Sequence, residues 1–273
     1  MNFYDVSFSI VLYNSDPIEV EALLKCISEV SLKYYIYVID NSKSDIIKCI
    51  IEKFNNVKYH HTKYNIGYGK AHNIAIEYIA PYSKYHIVLN PDIIFEKGTV
   101  ESLYMYMEGN PEVGQVMPKI LYGDGRVQRL CKLLPRPSDL FIRRFLKPLG
   151  LNINLKYELN DFNYDRILEF PSLSGCFMFL RSKILIKVNG FDPIFFLYLE
   201  DFDLTRRIHQ ISKTVFYPYA SAIHRFNKAS YNNPKMLKIH VLSAIKYFNK
   251  WGWFNDDDRD LQNKATLNFL DNA

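Results

Sequence analysis

Glycine is scarce where a nucleotide cofactor would need it. The chain has 11 glycines in 273 residues, and its first apolar run ends in Tyr13-Asn14-Ser15-Asp16 with no GxGxxG. This argues against a dinucleotide dehydrogenase and against phosphate held on a glycine-rich turn, since both need backbone N–H groups at close approach. It counts equally against a Rossmann-like methyltransferase in which Asp40 would hold a cofactor ribose. Cysteine is scarce too: Cys26, Cys49, Cys131 and Cys176 lie far apart with no CxxC, the pattern of free thiols in a reducing compartment. No apolar run approaches the roughly 18 residues of a membrane span. Met1-Asn2-Phe3-Tyr4-Asp5 offers no basic segment leading into an apolar core, so no signal peptide is expected. Neither charge dominates: 34 basic against 29 acidic residues leave a formal +5. That suits an anionic ligand or membrane surface and is too weak to argue for nucleic acid. The expected location is the cytoplasm, with a peripheral position on the inner membrane face left open.

What is present is an alternation of strand and helix signals. Val6 to Tyr13 is a strand-like run. Asp16-Pro17-Ile18-Glu19 then marks a helix start, with Asp16 as N-cap, Pro17 at N1 and Glu19 closing a capping box. Leu23, Leu24 and Ile27 supply that helix's buried face. Tyr35 to Ile39 is a second strand. Ile46, Ile47, Ile50, Ile51 and Phe54 follow at helical spacing. A strand at Val57–Tyr59 leads through a glycine-containing loop to a helix carrying Ala71, Ile74, Ala75 and Tyr78. His86 to Leu89 is a strand, Gly98 to Met107 a helix and Val113 to Met117 a strand. The series predicts a mainly parallel α/β sheet with helices on both faces. Ligands of such sheets sit beyond the carboxyl ends of the strands. Asp40, Asn41, Asn90 and Asp92 all fall at those ends and should converge on one crevice.

The second half is less regular. Residues 122–170 carry prolines, glycines and basic residues, among them Arg126, Arg129 and Lys132, as in a substrate-facing insertion. Pro171 to Leu180 returns to strand, and Tyr231 to Trp253 predicts a helix. No internal repeat or low-complexity tract is present.

The candidate chemistry centres on Phe195-Phe196-Leu197-Tyr198-Leu199-Glu200-Asp201-Phe202-Asp203-Leu204-Thr205-Arg206-Arg207. Carboxylates against apolar neighbours repel one another and lose hydration, so at least one should have a shifted pKa. An ordinary helix N-terminus, with acids in the first turn and arginines pairing back, also accounts for the segment. Asn90-Pro91-Asp92 is either a plain turn or a rigid mount that offers Asp92 to a divalent cation. His224 is a structural histidine or, if it meets Asp92, a ligand that favours Mn²⁺ over Mg²⁺. Asp40-Asn41-Ser42 either grips a ribose hydroxyl or builds a turn. Asn65-Ile66-Gly67-Tyr68-Gly69-Lys70-Ala71-His72-Asn73 either faces a nucleotide or turns the chain.

Order and spacing say more than any one of these. Strand-Asp40-Asn41, Asn65-x-Gly67-x-Gly69-x-x-x-Asn73, strand-Asn90-Pro91-Asp92, Ser174-Gly175 with Gly190-Phe191-Asp192, Glu200-Asp201-x-Asp203-x-x-x-Arg207 and His224 together resemble a family 2 glycosyltransferase. The subgroup they resemble is the bacterial rhamnosyltransferase-like enzymes of surface polysaccharides such as O-antigen or capsule. The likeness runs from about Val6 to Ser230 and is thin over 122–170. It implies a GT-A fold: a mainly parallel Rossmann-like sheet flanked by helices, with an acceptor-side insertion and C-terminal helices. Residues 1–118 would form the nucleotide-sugar half and 119–230 the acceptor half, with 231–273 a helical extension. The implied reaction is inverting transfer from a dTDP- or UDP-linked sugar, rhamnose from dTDP-rhamnose first, to a glycan or lipid-linked acceptor. UDP-hexose or UDP-galactofuranose donors remain alternatives, as does a degenerate non-catalytic sugar-nucleotide-binding module.

By the same resemblance Asp201 is the catalytic base and Glu200 orients the acceptor or the base. Asp40, Asn41, Gly67, Asn73, Asn90 and Asp92 line the donor site. Asp92 and His224 hold Mn²⁺ or Mg²⁺. Asn90 stands where the family's metal motif has an acid, a common departure in this subgroup, so metal binding would rely on the diphosphate. In the tail, Lys235, Lys238, Lys246 and Lys250 with Trp251, Trp253 and Phe254 suggest docking on a bilayer. A helix packed on the core fits them equally, and Asp256-Asp257-Asp258 weakens the membrane case.

Overall fold

The computed structural model of the protein describes residues 3–141, 156–159, 162–225 and 234–271. Its elements run β1 (Tyr4–Leu12), α1 (Pro17–Ser28), β2 (Tyr34–Asp40), α2 (Lys48–Ile51), β3 (Val57–His61), α3 (Tyr68–Ile79), β4 (Ser83–Leu89), β5 (Ile93–Phe95), α4 (Thr99–Gly109) and β6 (Val113–Leu121). The second half continues with α5 (Pro137–Phe141), β7 (Leu168–Glu169), β8 (Phe177–Arg181), α6 (Ser182–Lys187), α7 (Glu200–His209), β9 (Lys213–His224), α8 (Pro234–Trp251) and α9 (Asp257–Asp271). The described strands form one sheet in the order β3-β2-β1-β4-β8-β6-β9-β5, with β7 beside β9.

The parallel character holds over β3-β2-β1-β4, and β6 and β9 are also parallel. β8 runs antiparallel to both β4 and β6, and β5 and β7 antiparallel to β9. The reversal of β8 matters for the site. It brings the residues that lead into that strand, Gly175-Cys176, to the edge where β1, β2, β4, β6 and β9 end. Asn90 N accordingly donates to Cys176 O at 2.9 Å.

Alternation along β1 sets the layers. Val6, Phe8, Ile10 and Leu12 pack with Val20, Leu23, Leu24 and Ile27 of α1 in the main core. Val11 packs with Ala71 and Ala75 of α3 on the other face. Asp16 caps α1 as expected, accepting from Ile18 N at 2.8 Å. The helix expected over Ile46–Phe54 shrinks to the single turn of α2. Ile47 and Ile51 are buried there while Ile46 stays exposed, so only part of the apolar pattern finds a core. The strand expected over Pro171–Leu180 narrows to β8. Residues before it are spent on β7 and on a loop that reaches the crevice.

The helix-facing side of β1 and β4 holds a buried polar chain. Ser83 Oγ lies 2.7 Å from Ser7 Oγ, and Ser7 Oγ lies 2.8 Å from His86 Nδ1. His86 Nε2 is 2.9 Å from Ser9 Oγ, which is 2.7 Å from His72 Nδ1. Burial pushes the His86 imidazole down to about 3. Burial, followed by the neighbouring His86, holds His72 well below the usual histidine range. Both rings are therefore neutral in the folded protein, while the unfolded chain takes up protons near pH 6.5. Stability is whole above that value and is lost as pH falls, by up to about 1.4 kcal/mol per pH unit for each histidine. Thermal unfolding should show a lower Tm at pH 5 than at pH 7. The slope between them should be smaller in the His72→Gln/His86→Gln double variant, and an unchanged slope would remove these histidines from the acid response.

Candidate active site

Helix α7 begins abruptly. Tyr198 and Leu199 both take positive φ, 71° and 65°, a conformation that costs a non-glycine residue about 1–3 kcal/mol. The chain turns there so that Phe196, Leu197 and Tyr198 line a cleft of about 810 Å³ together with Glu200 and Asp201 at the helix start. The loop is held from behind by α8. Ser243 Oγ donates to Leu197 O at 2.7 Å and Lys246 Nζ to Ile194 O at 2.7 Å.

The three acids of α7 have separate fates. Asp201 Oδ2 accepts from Gly175 N and Oδ1 from Phe202 N, each at 2.9 Å. Burial raises its pKa; the two N–H groups and the charge of Lys132 oppose that rise. Glu200 has only its own backbone N–H to oppose burial. Its Oε2 is buried without a hydrogen-bond partner among the described residues. Burial, with the charge of Asp201 added, pushes its carboxyl up to about 8. The N–H groups of Gly175 and Phe202 favour the pair's negative charge on Asp201. Asp203 is buried on the opposite side, where it accepts from Arg207 Nε at 2.8 Å and Trp251 Nε1 at 2.9 Å. The expected backward pairing holds for Arg207 alone; Arg206 turns to the C-terminal segment.

Asp92 and His224 meet, and the sheet explains why. β5 runs antiparallel to β9 with Ile93 opposite His224, so Asp92 Oδ2 comes to 3.3 Å from His224 Nε2. Gln128 fixes the ring. Its Nε2 donates to His224 O at 2.8 Å, which turns Oε1 to His224 Nδ1 at 3.1 Å. With Nδ1 turned to Gln128, Nε2 is the ring nitrogen that faces Asp92. Two acceptors so placed fit a divalent cation whose remaining positions are filled by substrate oxygens. Among the described residues no group of three His, Cys, Asp or Glu stands at ligand spacing. Asn90 shares the site: Tyr68 Oη lies 2.9 Å from its Oδ1 and 3.0 Å from Gly175 O, which ties this corner to the loop that holds Asp201.

On the far side, Asn41, Asn65 and Gly67 line the cleft. Asn41 Nδ2 donates to Gly67 O at 3.2 Å and Thr62 Oγ1 to Asn41 Oδ1 at 3.0 Å. Two of the expected donor-site residues lie elsewhere. Asp40 is fully buried beneath the cleft, where its carboxylate accepts from Tyr59 Oη at 2.8 Å and Ser42 N at 2.9 Å. Asn73 fastens α3 to the Gly190-Phe191 turn, donating to Phe191 O at 2.7 Å and accepting from Phe191 N at 2.9 Å. Tyr68 and Gln128 were given no role by the sequence. Tyr68 lay inside the glycine motif and was detectable; Gln128 joins the site through tertiary contact alone. In the tail, Lys250 pairs with Asp192 and Asp203 at 2.6 and 2.7 Å, Lys246 is bound as above, and Trp251 is tied to Asp203. Those three groups hold the fold together rather than face a bilayer. No described helix is long and apolar enough to cross a membrane.

The strand ends of the sheet thus gather a buried carboxylate pair, an acid–histidine pair and an asparagine-lined pocket. The family model described as Glycosyl transferase family 2 matches residues 7–187, two thirds of the chain, and the protein belongs to that family. It is a glycosyltransferase. The match ends before α7, so the place of Asp201 rests on the geometry above. The chain is 27% identical over 241 residues to the rhamnosyltransferase WbbL of Escherichia coli K12, covering 84% of this chain and 87% of that protein. It is 26% identical over 200 residues to the N-acetylglucosaminyl-diphospho-decaprenol L-rhamnosyltransferase of Mycobacterium tuberculosis, covering 68% of this chain and 64% of that one. Among solved structures, GalNAc-T7 with UDP, GalNAc and Mn²⁺ superposes with a TM-score of 0.62 at 15% identity, over 81% of this chain and 43% of that one.

Gly67 is the tighter of the two glycines that line the cleft. Its φ is +95°, and an added Cβ would lie 2.6 Å from Phe196 O. Gly67→Ala should cost about 1–3 kcal/mol from backbone strain alone and displace the Phe196 loop. Gly98→Ala, at φ +90° with open space around it, should cost less. Thermal unfolding of the two variants compares them directly, and equal losses would show that the Phe196 contact is not a constraint.

Proposed function

We propose that the protein transfers a sugar, rhamnose from dTDP-rhamnose, with inversion onto a hydroxyl of a growing lipid-linked cell-surface polysaccharide. The observation that carries this reading is the Asp201 carboxylate, held at the cleft wall by the N–H groups of Gly175 and Phe202. Likeness to two rhamnosyltransferases supports the donor. The diphospho-decaprenol in the name of the mycobacterial relative supports a lipid-linked acceptor.

An acceptor hydroxyl is a poor nucleophile. Asp201 takes its proton as the oxygen attacks C1 from the face opposite the leaving group. The bond from C1 to the phosphate oxygen breaks and its electron pair leaves with the nucleoside diphosphate. Glu200, still protonated, donates a hydrogen bond to the acceptor, and burial of both carboxyls keeps water from competing. Asn41, Asn65 and the Gly67 turn seat the nucleoside. Asp92 and His224 would hold a divalent cation, Mn²⁺ or Mg²⁺, whose charge offsets that gathering on the diphosphate. Position on the inner membrane face follows from the lipid acceptor.

A general base of this kind is worth about 10²–10⁴ in rate. Asp201→Asn should therefore lose transfer by at least about a hundredfold while the protein still gains thermal stability from dTDP or UDP with Mn²⁺. A ligand at 100 times its Kd adds about 2.7 kcal/mol. Near-normal turnover by the variant would dismiss Asp201 as the base, and no stabilisation of the wild type by any nucleoside diphosphate would dismiss the donor site.

A further inference from the structure

Glycine has more backbone freedom than any other residue, yet Gly175 must aim its N–H at Asp201 Oδ2. Something outside the residue has to hold it. Tyr68, the first residue of α3, reaches it with its hydroxyl: Oη lies 3.0 Å from Gly175 O and 2.9 Å from Asn90 Oδ1. The rest of Tyr68 is clamped. Its backbone N donates to Phe196 O at 2.8 Å. Its ring stands edge-on to His72 and Phe191, with centroids 4.4 and 6.1 Å away. Burial, followed by Glu200 and the other acidic groups nearby, holds the hydroxyl well above the usual phenol range. It is therefore a donor at any working pH, and its single proton goes to Gly175 O or to Asn90 Oδ1.

Gly175 is thus held at both ends, with Tyr68 on its carbonyl and the Asp201 carboxylate on its N–H. The groups whose charge bears on Asp201 are Glu200 on the same helix, Lys132 on the strip after β6 and Cys176 ahead of β8. Burial pushes the Cys176 thiol up to about 12, so it stays neutral. Loss of the Tyr68 hydroxyl alters none of these charges, so its effect on Asp201 must travel through hydrogen bonds. We propose that Tyr68 is a positioning residue for Asp201: its hydroxyl fixes the Gly175 backbone, which keeps the N–H on the carboxylate. The consequence for catalysis rests on the transferase reading above; the hold on Asp201 does not.

Tyr68→Phe keeps the ring and removes the hydroxyl. In protein labelled with ¹³C at the aspartate side-chain carboxyl, the Asp201 signal is the one lost in Asp201→Asn. Its apparent midpoint, shared with Glu200, should rise by about one pH unit in Tyr68→Phe, the worth of one weakened hydrogen bond to a carboxylate. The sign is upward because an N–H on the carboxylate favours its charged form. The acidic limb of kcat should move with it. Transfer should be about tenfold slower below the limb, the gap should close as pH rises, and the Kd for dTDP or UDP with Mn²⁺ should not change. Asn90→Ala leaves the hydroxyl to Gly175 O alone and should hold the midpoint where it is or lower it. A midpoint unmoved by Tyr68→Phe, with the rate reduced evenly at every pH, would overturn the proposal by reducing Tyr68 to packing. A rise in Asn90→Ala would overturn it as well, by routing the effect through Asn90. A midpoint that rises in Tyr68→Phe while Asp201→Asn keeps near-normal turnover would support the hold on Asp201 and overturn only the reading of that acid as the base.

Discussion

Arg206 is a guanidinium with no water around it, and much of the molecule is arranged to make that tolerable. It sits on α7, is fully buried, and is met by Asp256 Oδ2 at 2.8 Å and Asp258 Oδ2 at 2.8 Å. Trp251 covers it, with the ring centroid 4.0 Å from the guanidinium carbon. Removing one partner of a buried ion pair typically costs about 3–5 kcal/mol, because an uncompensated charge stays behind. The acids that compensate Arg206 come from the junction of α8 and α9, fifty residues downstream in the chain. Helix α7 can hold its position only when that junction is in place.

The position of α7 in turn decides the electrostatics of the cleft. Its first two residues face the cavity, while Asp203, Arg206 and Arg207 anchor its remaining sides. Glu200 and Asp201 are adjacent in sequence and share one low-dielectric pocket, yet only Asp201 meets two backbone donors. One of them, Gly175 N, is available because β8 runs against its neighbours and delivers the residues that lead into it to the active edge. An added Cβ at Gly175 would stand 3.1 Å from Asp201 Cβ, so the carboxylate and that backbone are in near contact. The difference in surroundings between the two carboxyls therefore follows from sheet topology, not from residue type.

This explains what could be read from the sequence. The βα alternation, the Asp16 cap and the placement of Asp40, Asn41, Asn90 and Asp92 at strand ends follow from local patterns, and local patterns are visible in one chain; the meeting of His224 with Asp92 is set by the pairing of β5 with β9. Asp40 and Asn73 were misplaced because an Asp or Asn at a strand end or helix start serves a ligand or the backbone with the same atoms. Only burial tells the two apart: Asp40 is enclosed with Tyr59 and Ser42, and Asn73 is spent on Phe191. Lys246 and Lys250 of the tail turned out to serve the fold for a similar reason. Lys246 and Lys250 look solvated in a helix of mixed polarity, and their partners Ile194, Asp192 and Asp203 lie far away in sequence. The strand signal over Pro171–Leu180 was visible, but the antiparallel direction of β8 and the strip carrying Gln128 were not, being set by pairing across more than fifty residues.

The missing glycine-rich turn and the charged walls of the cleft are connected. A loop with successive free N–H groups at a helix start neutralises phosphate with backbone dipoles. Here the turn after β1 gives its amides to side chains instead, Asn14 N to Ser42 Oγ at 2.8 Å and Tyr13 N to Ser15 Oγ at 3.2 Å. Those amides are thus committed before any ligand arrives. A chain that handles phosphates without backbone donors must supply the compensating charge from side chains or from a cation they hold. In the proposed reading Asp92 and His224 would supply that charge through the cation they hold, and the antiparallel pairing of β5 with β9 is what sets the two side by side.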